Sequence, residues 1–125
     1  MLSLPPSVRI FVATQPIDGR KGVDSLVAII RSVLIHDPLT GHVYVFFSKR
    51  RDRVRVVYWD RSGFAIWAKR LEQGRYHAKF ILEGALSTNQ IEAAELLLIL
   101  EGIDLTGALR RARWQPSPET PPLQL

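Results

Sequence analysis

The residues able to do chemistry in this sequence are few and scattered. The carboxylates that could build a metal-dependent nuclease centre are Asp18, Asp24, Asp37, Asp60, Glu72 and Asp104. Two-metal phosphoryl chemistry needs acids converging on ions about 4 Å apart, and these sit mainly in turns and caps, where Asp is ordinary. His36, His42 and His77 share no metal-ligand spacing. No nucleophile elbow or Ser/His/Asp order is present. With no cysteine, disulfides and thiolate metal sites are excluded. The loop QPIDGRKG, residues 15–22, sets Arg20 and Lys21 ahead of a helix start that could hold an anion. It lacks the G-x-x-x-x-G-K-S/T spacing of a nucleotide loop, so it reads as a structural turn whose cations are free for phosphate contact. No catalytic residue, metal ligand or cofactor is assigned.

The concentrated signal is the stretch 48–76, SKRRDRVRVVYWDRSGFAIWAKRLEQGRY, which is basic and aromatic around the turn WDRSGF. Of the 17 basic residues in the chain, 14 fall in residues 1–81 against 6 acids, while residues 82–125 hold 3 against 6. Thirteen are arginine, the side chain suited to bidentate phosphate contacts and to stacking on rings. A positive block of this kind points to nucleic acid, with an anionic membrane surface a weaker second. No stretch approaches the ~18 apolar residues needed to span a bilayer. MLSLPPSVRIF is a poor signal peptide because prolines interrupt its short apolar run. The expectation is a cytoplasmic protein with no membrane partner.

These residues must be positioned by a single domain over 1–114 followed by a disordered proline-rich tail over 115–125. The fold class expected is α+β: a small antiparallel sheet of four to five strands packed with one or two helices, plus a C-terminal helix. Strands are expected at 7–14, 42–48, 53–60 and 64–71, with a weaker one at 76–81. A helix from about 23 to 34, with Asp24 as N-cap, presents Leu26, Ile29, Ile30, Val33 and Leu34 on one face. A second helix is expected over 89–101, capped by Ser87 or Thr88 and stopped by Gly102. It is apolar nearly all round, so it is either deeply buried or held against another protein. A short basic helix is expected over 105–114.

The register of the central hairpin decides which side chains share a face. A two-residue loop sets Trp59 opposite Phe64 and Arg53 opposite Arg70. A three-residue loop, with Gly63 supplying a left-handed bulge, sets Asp60 opposite Phe64 and Tyr58 opposite Ile66. The bulged register is favoured because it yields one clean core face of Val54, Val56, Tyr58, Phe64, Ile66 and Ala68. The other face then carries Arg53, Arg55, Val57, Trp59, Ala65, Trp67 and Lys69, with Arg55 opposite Lys69 as a like-charge pair that a polyanion would relieve. The bland reading of that face is a helix laid over both tryptophans with the basic tips in solvent.

The segments VRIFVATQPIDGRKGVDSLVAII and DPLTGHVYVFFSKRRDRVRVVYWDRSGFAIWAKRLEQGRY, together with LSTNQIEAAELLLILEGIDL, closely resemble the accessory TnpB (Orf2) protein of insertion sequence 66 transposons. The resemblance covers roughly residues 3–107, and WDRSGFAIWAKRLEQG is its most specific part. Gly19 departs from it, since the family commonly has a bulkier residue, often Met, before the Arg-Lys pair. The resemblance implies a small protein that acts beside a separate transposase and is needed for efficient transposition. It implies no reaction.

Two functional readings follow. In the first, the chain is a non-enzymatic factor that binds transposon DNA with little sequence preference. Arg53, Arg55 and Lys69 would contact phosphates, Trp59 and Trp67 would stack or pack, and Arg20, Lys21, Lys49, Arg50 and Arg51 would flank them. In the second, the chain is an adaptor that docks on the transposase, or pairs with a second copy, through Ile91, Leu97, Leu98 and Leu100. A nuclease is a third and weaker reading.

Overall fold

The segment Val43–Phe47, VYVFF, has no polar residue to turn towards water, and all five of its side chains are buried. Side chains alternate across a strand, so such a segment must be covered on both sides. The computed structural model, which describes residues 7–77 and 85–101, meets that demand with a helix on each face of a five-stranded sheet. The elements run β1 (Ile10–Ala13), α1 (Val23–Ser32), a 3-10 turn (Pro38–Thr40), β2 (Val43–Phe47), β3 (Arg53–Asp60), β4 (Gly63–Arg70), β5 (Thr88–Ile91) and α2 (Ala93–Leu100). The sheet order is β4-β3-β2-β1-β5. This is the expected α+β fold, with the sheet mixed: β1 and β2 run parallel and every other pair is antiparallel. The parallel pair arises because α1 intervenes between two strands too far apart in sequence for a hairpin.

Two cores sit back to back. Ile10, Val12, Val43, Val45, Phe47, Val54 and Val56 meet Leu96, Ile99 and Leu100 of α2. On the opposite face, Ala13, Tyr44, Phe46 and Val57 meet Leu26, Val27 and Ile30 of α1. Each fully buried aliphatic or aromatic side chain contributes about 1.5–3 kcal/mol, so β2, buried on both faces, is the stability centre.

Several expectations change in detail. Helix α1 is capped by the backbone of Gly22, and Asp24 lies in its first turn rather than at the cap. Val33 is 49% exposed. The helix has ended at Ser32, and Ile29 accepts hydrogen bonds from both Val33 and Leu34. The chain therefore leaves the helical arc at Val33. The expected start of the second helix is strand instead. Thr88 to Ile91 pair with Ala13 to Ile10, and the Thr14 N–H donates to the Ser87 carbonyl at 2.9 Å. Helix propensity there loses to the unpaired edge of β1, whose backbone groups need partners. The expected strand at 76–81 is not strand at Tyr76 and His77, and its remainder lies outside the described residues, as do the 105–114 helix, the Gly102 stop and the tail.

The largest correction concerns the hairpin. Asp60 pairs with Gly63, Trp59 with Phe64, Val57 with Ile66, Val56 with Trp67 and Arg53 with Arg70. The loop is the two residues Arg61-Ser62, and the left-handed position is taken by Arg61 (φ 56°), not Gly63. The bulged register rested on one clean core face. Both faces of this sheet are covered, so β3 places Val54 and Val56 towards α2 and Val57 towards α1. Trp59 and Trp67 consequently lie on opposite faces.

Candidate nucleic-acid interface

Because β1 and β2 are parallel, their carboxyl ends meet at one end of the sheet, where β3 begins and β4 finishes. The loop after β1 and the turn between β2 and β3 are stacked there. The Ile17 N–H donates to the Phe47 carbonyl at 2.9 Å, and Ile17 bridges Ser48 in parallel fashion. The β2–β3 turn holds itself: the Ser48 hydroxyl donates to Asp52 Oδ1 at 3.1 Å and accepts from the Arg53 N–H at 3.1 Å. Arg51 adopts φ 60°, and its carbonyl accepts from the Tyr76 N–H.

Two adjoining clefts open at this end. The first, about 620 Å³, lies between the 17–20 loop and the 48–53 turn, with Arg20, Lys49, Arg50 and Arg53 in its wall beside Asp18 and Asp52. The second, about 340 Å³, is walled by Arg53, Arg55, Lys69 and Arg70. Arg53 divides them. Asp18 is engaged by Arg20: its carboxylate takes the guanidinium Nη2 at 3.1 Å and the Arg20 backbone N–H at 2.9 Å. Those bonds hold its pKa down at about 2, so it is ionised at neutral pH, and the same pairing raises that of Arg20. Arg70 pairs with Glu72 at 3.3 Å between exposed side chains, a contact worth little. Among the described residues, Lys49, Arg50, Arg51, Arg53, Arg55 and Lys69 have no carboxylate within 4 Å. Charges left this way rely on solvent or on an anionic ligand.

The expected contact residues separate accordingly. Arg20, Lys49, Arg50, Arg53, Arg55 and Lys69 line the clefts, while Lys21 is an exposed neighbour and Arg51 an exposed turn residue. Arg55 donates to the Gly19 carbonyl, which ties the loop to β3. Trp59 and Trp67 line neither cleft. Trp59 packs edge-on against Phe64 at the far end of the hairpin, with ring centroids 5.0 Å apart, and Trp67 packs on the α2-side core. The expected face carrying both tryptophans with Arg55 and Lys69 is therefore not formed, and the like-charge pair is Arg53 with Arg70. Arg70, which the two-residue loop sets directly across from Arg53, is a further cation of the second cleft.

The histidines are packed locally. His36 meets Phe11 edge-on at 4.6 Å and reaches the Tyr44 hydroxyl at 3.3 Å. His42 Nδ1 accepts from the Arg9 N–H at 3.0 Å, and burial lowers its pKa. Among the described residues, no group of three or more His, Asp or Glu is placed to hold a metal ion, and no helix is long and apolar enough to cross a membrane.

The residues that build these clefts all fall within 8–110, the span over which the chain matches the family described as IS66 Orf2 like protein. The chain belongs to that family. It is an accessory protein of an insertion-sequence transposon. It is also similar to two uncharacterized proteins of Sinorhizobium fredii (strain NBRC 101917 / NGR234). The identity to y4jC is 38% over 117 residues, covering 94% of this chain and 97% of the relative. The identity to y4hO is 34% over 104 residues, covering 83% and 88%. No solved structure matches it. Of the residues proposed for a partner of this accessory protein, Ile91 and Leu100 are buried in its own core. Leu98 is half-buried and Leu97 is 40% exposed.

Proposed function

We propose that this transposon accessory protein is a non-enzymatic, cytoplasmic factor that binds transposon DNA through its backbone and acts with the element's transposase. The observation carrying this reading is the set of cations without carboxylate partners around the two clefts at the carboxyl ends of β1 and β2. Cations on a scaffold of strand ends and short turns suit phosphates, which fix position without reading sequence. The acids beside the clefts are already engaged by Arg20, Ser48 and Arg70, which favours binding over metal chemistry.

Electrophoretic mobility shifts across a salt series test it. The logarithm of affinity should fall linearly with the logarithm of salt, since each neutralised phosphate adds roughly 0.9 to the slope. Replacing Lys49 or Lys69 by Ala should lower that slope by about 1 without changing sequence preference. Binding that is indifferent to salt, or divalent-metal-dependent cleavage of the DNA, would overturn the proposal.

An adaptor function is the second reading, and it draws on a different surface. Leu97 of α2, and Val33, Ile35 and Leu39 in the segment after α1, are the large apolar residues left exposed among those described. Ile35 is also held at φ 57°, an uncommon conformation for a β-branched residue. Pull-down by the transposase that survives Lys49→Ala but is lost on Leu97→Glu would favour this surface, whether it receives the transposase or a second copy of the chain.

A further inference from the structure

We infer that the two clefts flanking Arg53 seat two neighbouring phosphates of one nucleic-acid strand, with Arg53 between them and Arg55 setting the loop that shapes the first seat. This deepens the DNA-binding reading and rests on it. Arg53 is common to both walls. Beyond it on one side stand Lys49 and Arg50, and on the other Lys69 and Arg70. A guanidinium that contacts a phosphate on either side at about 2.7–2.9 Å holds the two within the reach of adjacent nucleotides. The first seat takes a single phosphate, because Asp18 and Asp52 share its wall and would repel a second.

The divide itself is held in place. A Cβ at position 19 would lie 3.2 Å from Arg53 Cδ and 3.4 Å from Ser48 Cβ. Glycine there lets the loop close onto the aliphatic stem of Arg53, and the Arg55 guanidinium holds it closed through the Gly19 carbonyl. Arg55 is thus a positioning residue. A side chain ordered in advance loses less entropy when its ligand arrives. Among the described residues no aromatic side chain lines either cleft, so none of them stacks on a base of the seated strand.

Calorimetric titration of the full chain with thymidine 3′,5′-bisphosphate and with the 5′- and 3′-monophosphates tests this at low salt. The bisphosphate carries two phosphates one nucleoside apart, and it should bind at least about tenfold tighter than either monophosphate. Arg53→Gln should abolish that advantage. So should the pair Lys69→Gln and Arg70→Gln, which alters only exposed side chains; an advantage retained in that pair would overturn the second seat. Arg55→Gln should weaken the binding of all three probes, because the loop it holds through the Gly19 carbonyl shapes the first seat; unchanged binding would overturn its positioning role. A bisphosphate that binds no better than the monophosphates, from a protein that still shifts duplex DNA with steep salt dependence, overturns the paired seats and leaves the DNA-binding reading standing. Binding of neither probe nor duplex overturns both.

Discussion

At one end of the β3–β4 ribbon Arg53 lies directly across from Arg70, and at the other Trp59 lies across from Phe64 with their rings edge to face. The first pair opposes folding, because like charges face to face are destabilising by a few tenths of a kcal/mol or more. The second favours it, since such ring pairs contribute about 0.5–1.5 kcal/mol beyond their buried area. The unfavourable pair stands at the strand ends where the clefts open, and the favourable pair stands at the turn, away from them. An anion seated in the clefts would relieve the first pair, whereas the second needs no ligand to be favourable.

Four measurements would break or sharpen that contrast. The largest effect is expected from Trp67→Ala, which opens the α2-side core and should cost about 3 kcal/mol in urea unfolding. Trp59→Ala, which loses one ring partner near the turn, should cost only about 1 kcal/mol. Equal costs would put both rings on one face and contradict the two-residue register. Next, the double change Arg53→Ala and Arg70→Ala should weaken duplex DNA binding at least about tenfold, or about 1.4 kcal/mol, with no loss of folding stability. Trp59→Ala should leave DNA binding unchanged, and a weakened shift from it would return the distal end to the site.

Tyr76 offers a pH readout close to the basic end. It is 2% exposed, stacks obliquely on Phe47 at 5.7 Å, and its hydroxyl has no hydrogen-bond partner among the described residues. Burial raises its pKa from 10.0 to about 12. The folded state therefore holds the proton more tightly than the unfolded state. The stability contribution is fully present below pH 10 and is lost as pH rises from 10 through 12. Tyr76→Phe should stabilise the protein by about 1 kcal/mol at neutral pH, by removing an unsatisfied buried hydroxyl, and should reduce the alkaline loss, leaving the share of Tyr44, whose pKa burial also raises. An unreduced loss in the variant would assign it to groups other than Tyr76. The smallest effect belongs to the turn: Arg61→Gly should stabilise by about 0.5 kcal/mol, since glycine accepts φ 56° without a Cβ penalty. If Gly63 were the left-handed residue instead, the same change would be neutral or destabilising.

How far the site could be read from the sequence depends on the residue. Arg20, Lys49 and Arg50 were legible as cations of turns, because Gly, Pro, Asp and charge clusters mark turns locally. Lys69 does not share the face of Arg53 and Arg55; it reaches the second cleft from the edge of the sheet. Trp59 and Trp67 share a face only with a three-residue loop; the two-residue loop separates the rings and sets Arg70 across from Arg53. The strand at Thr88–Ile91 was hidden because TNQI has weak alternation, and its partner β1 lies about 75 residues earlier in the chain.

Residue pattern alone makes 43–47 a strand, makes β3 and β4 a hairpin that turns at Arg61 and Ser62, and crowds the basic residues into 48–76. Those features depend on residue type over a few neighbouring positions. Only the tertiary structure decided the hairpin register, the burial of Ile91 and Leu100, and the meeting of the 17–20 loop with the 48–53 turn. The last follows from β1 and β2 running parallel, and the first two turn on whether a second helix covers the far face of the sheet. That coverage is set by segments remote in sequence, and no local pattern in the hairpin carries it.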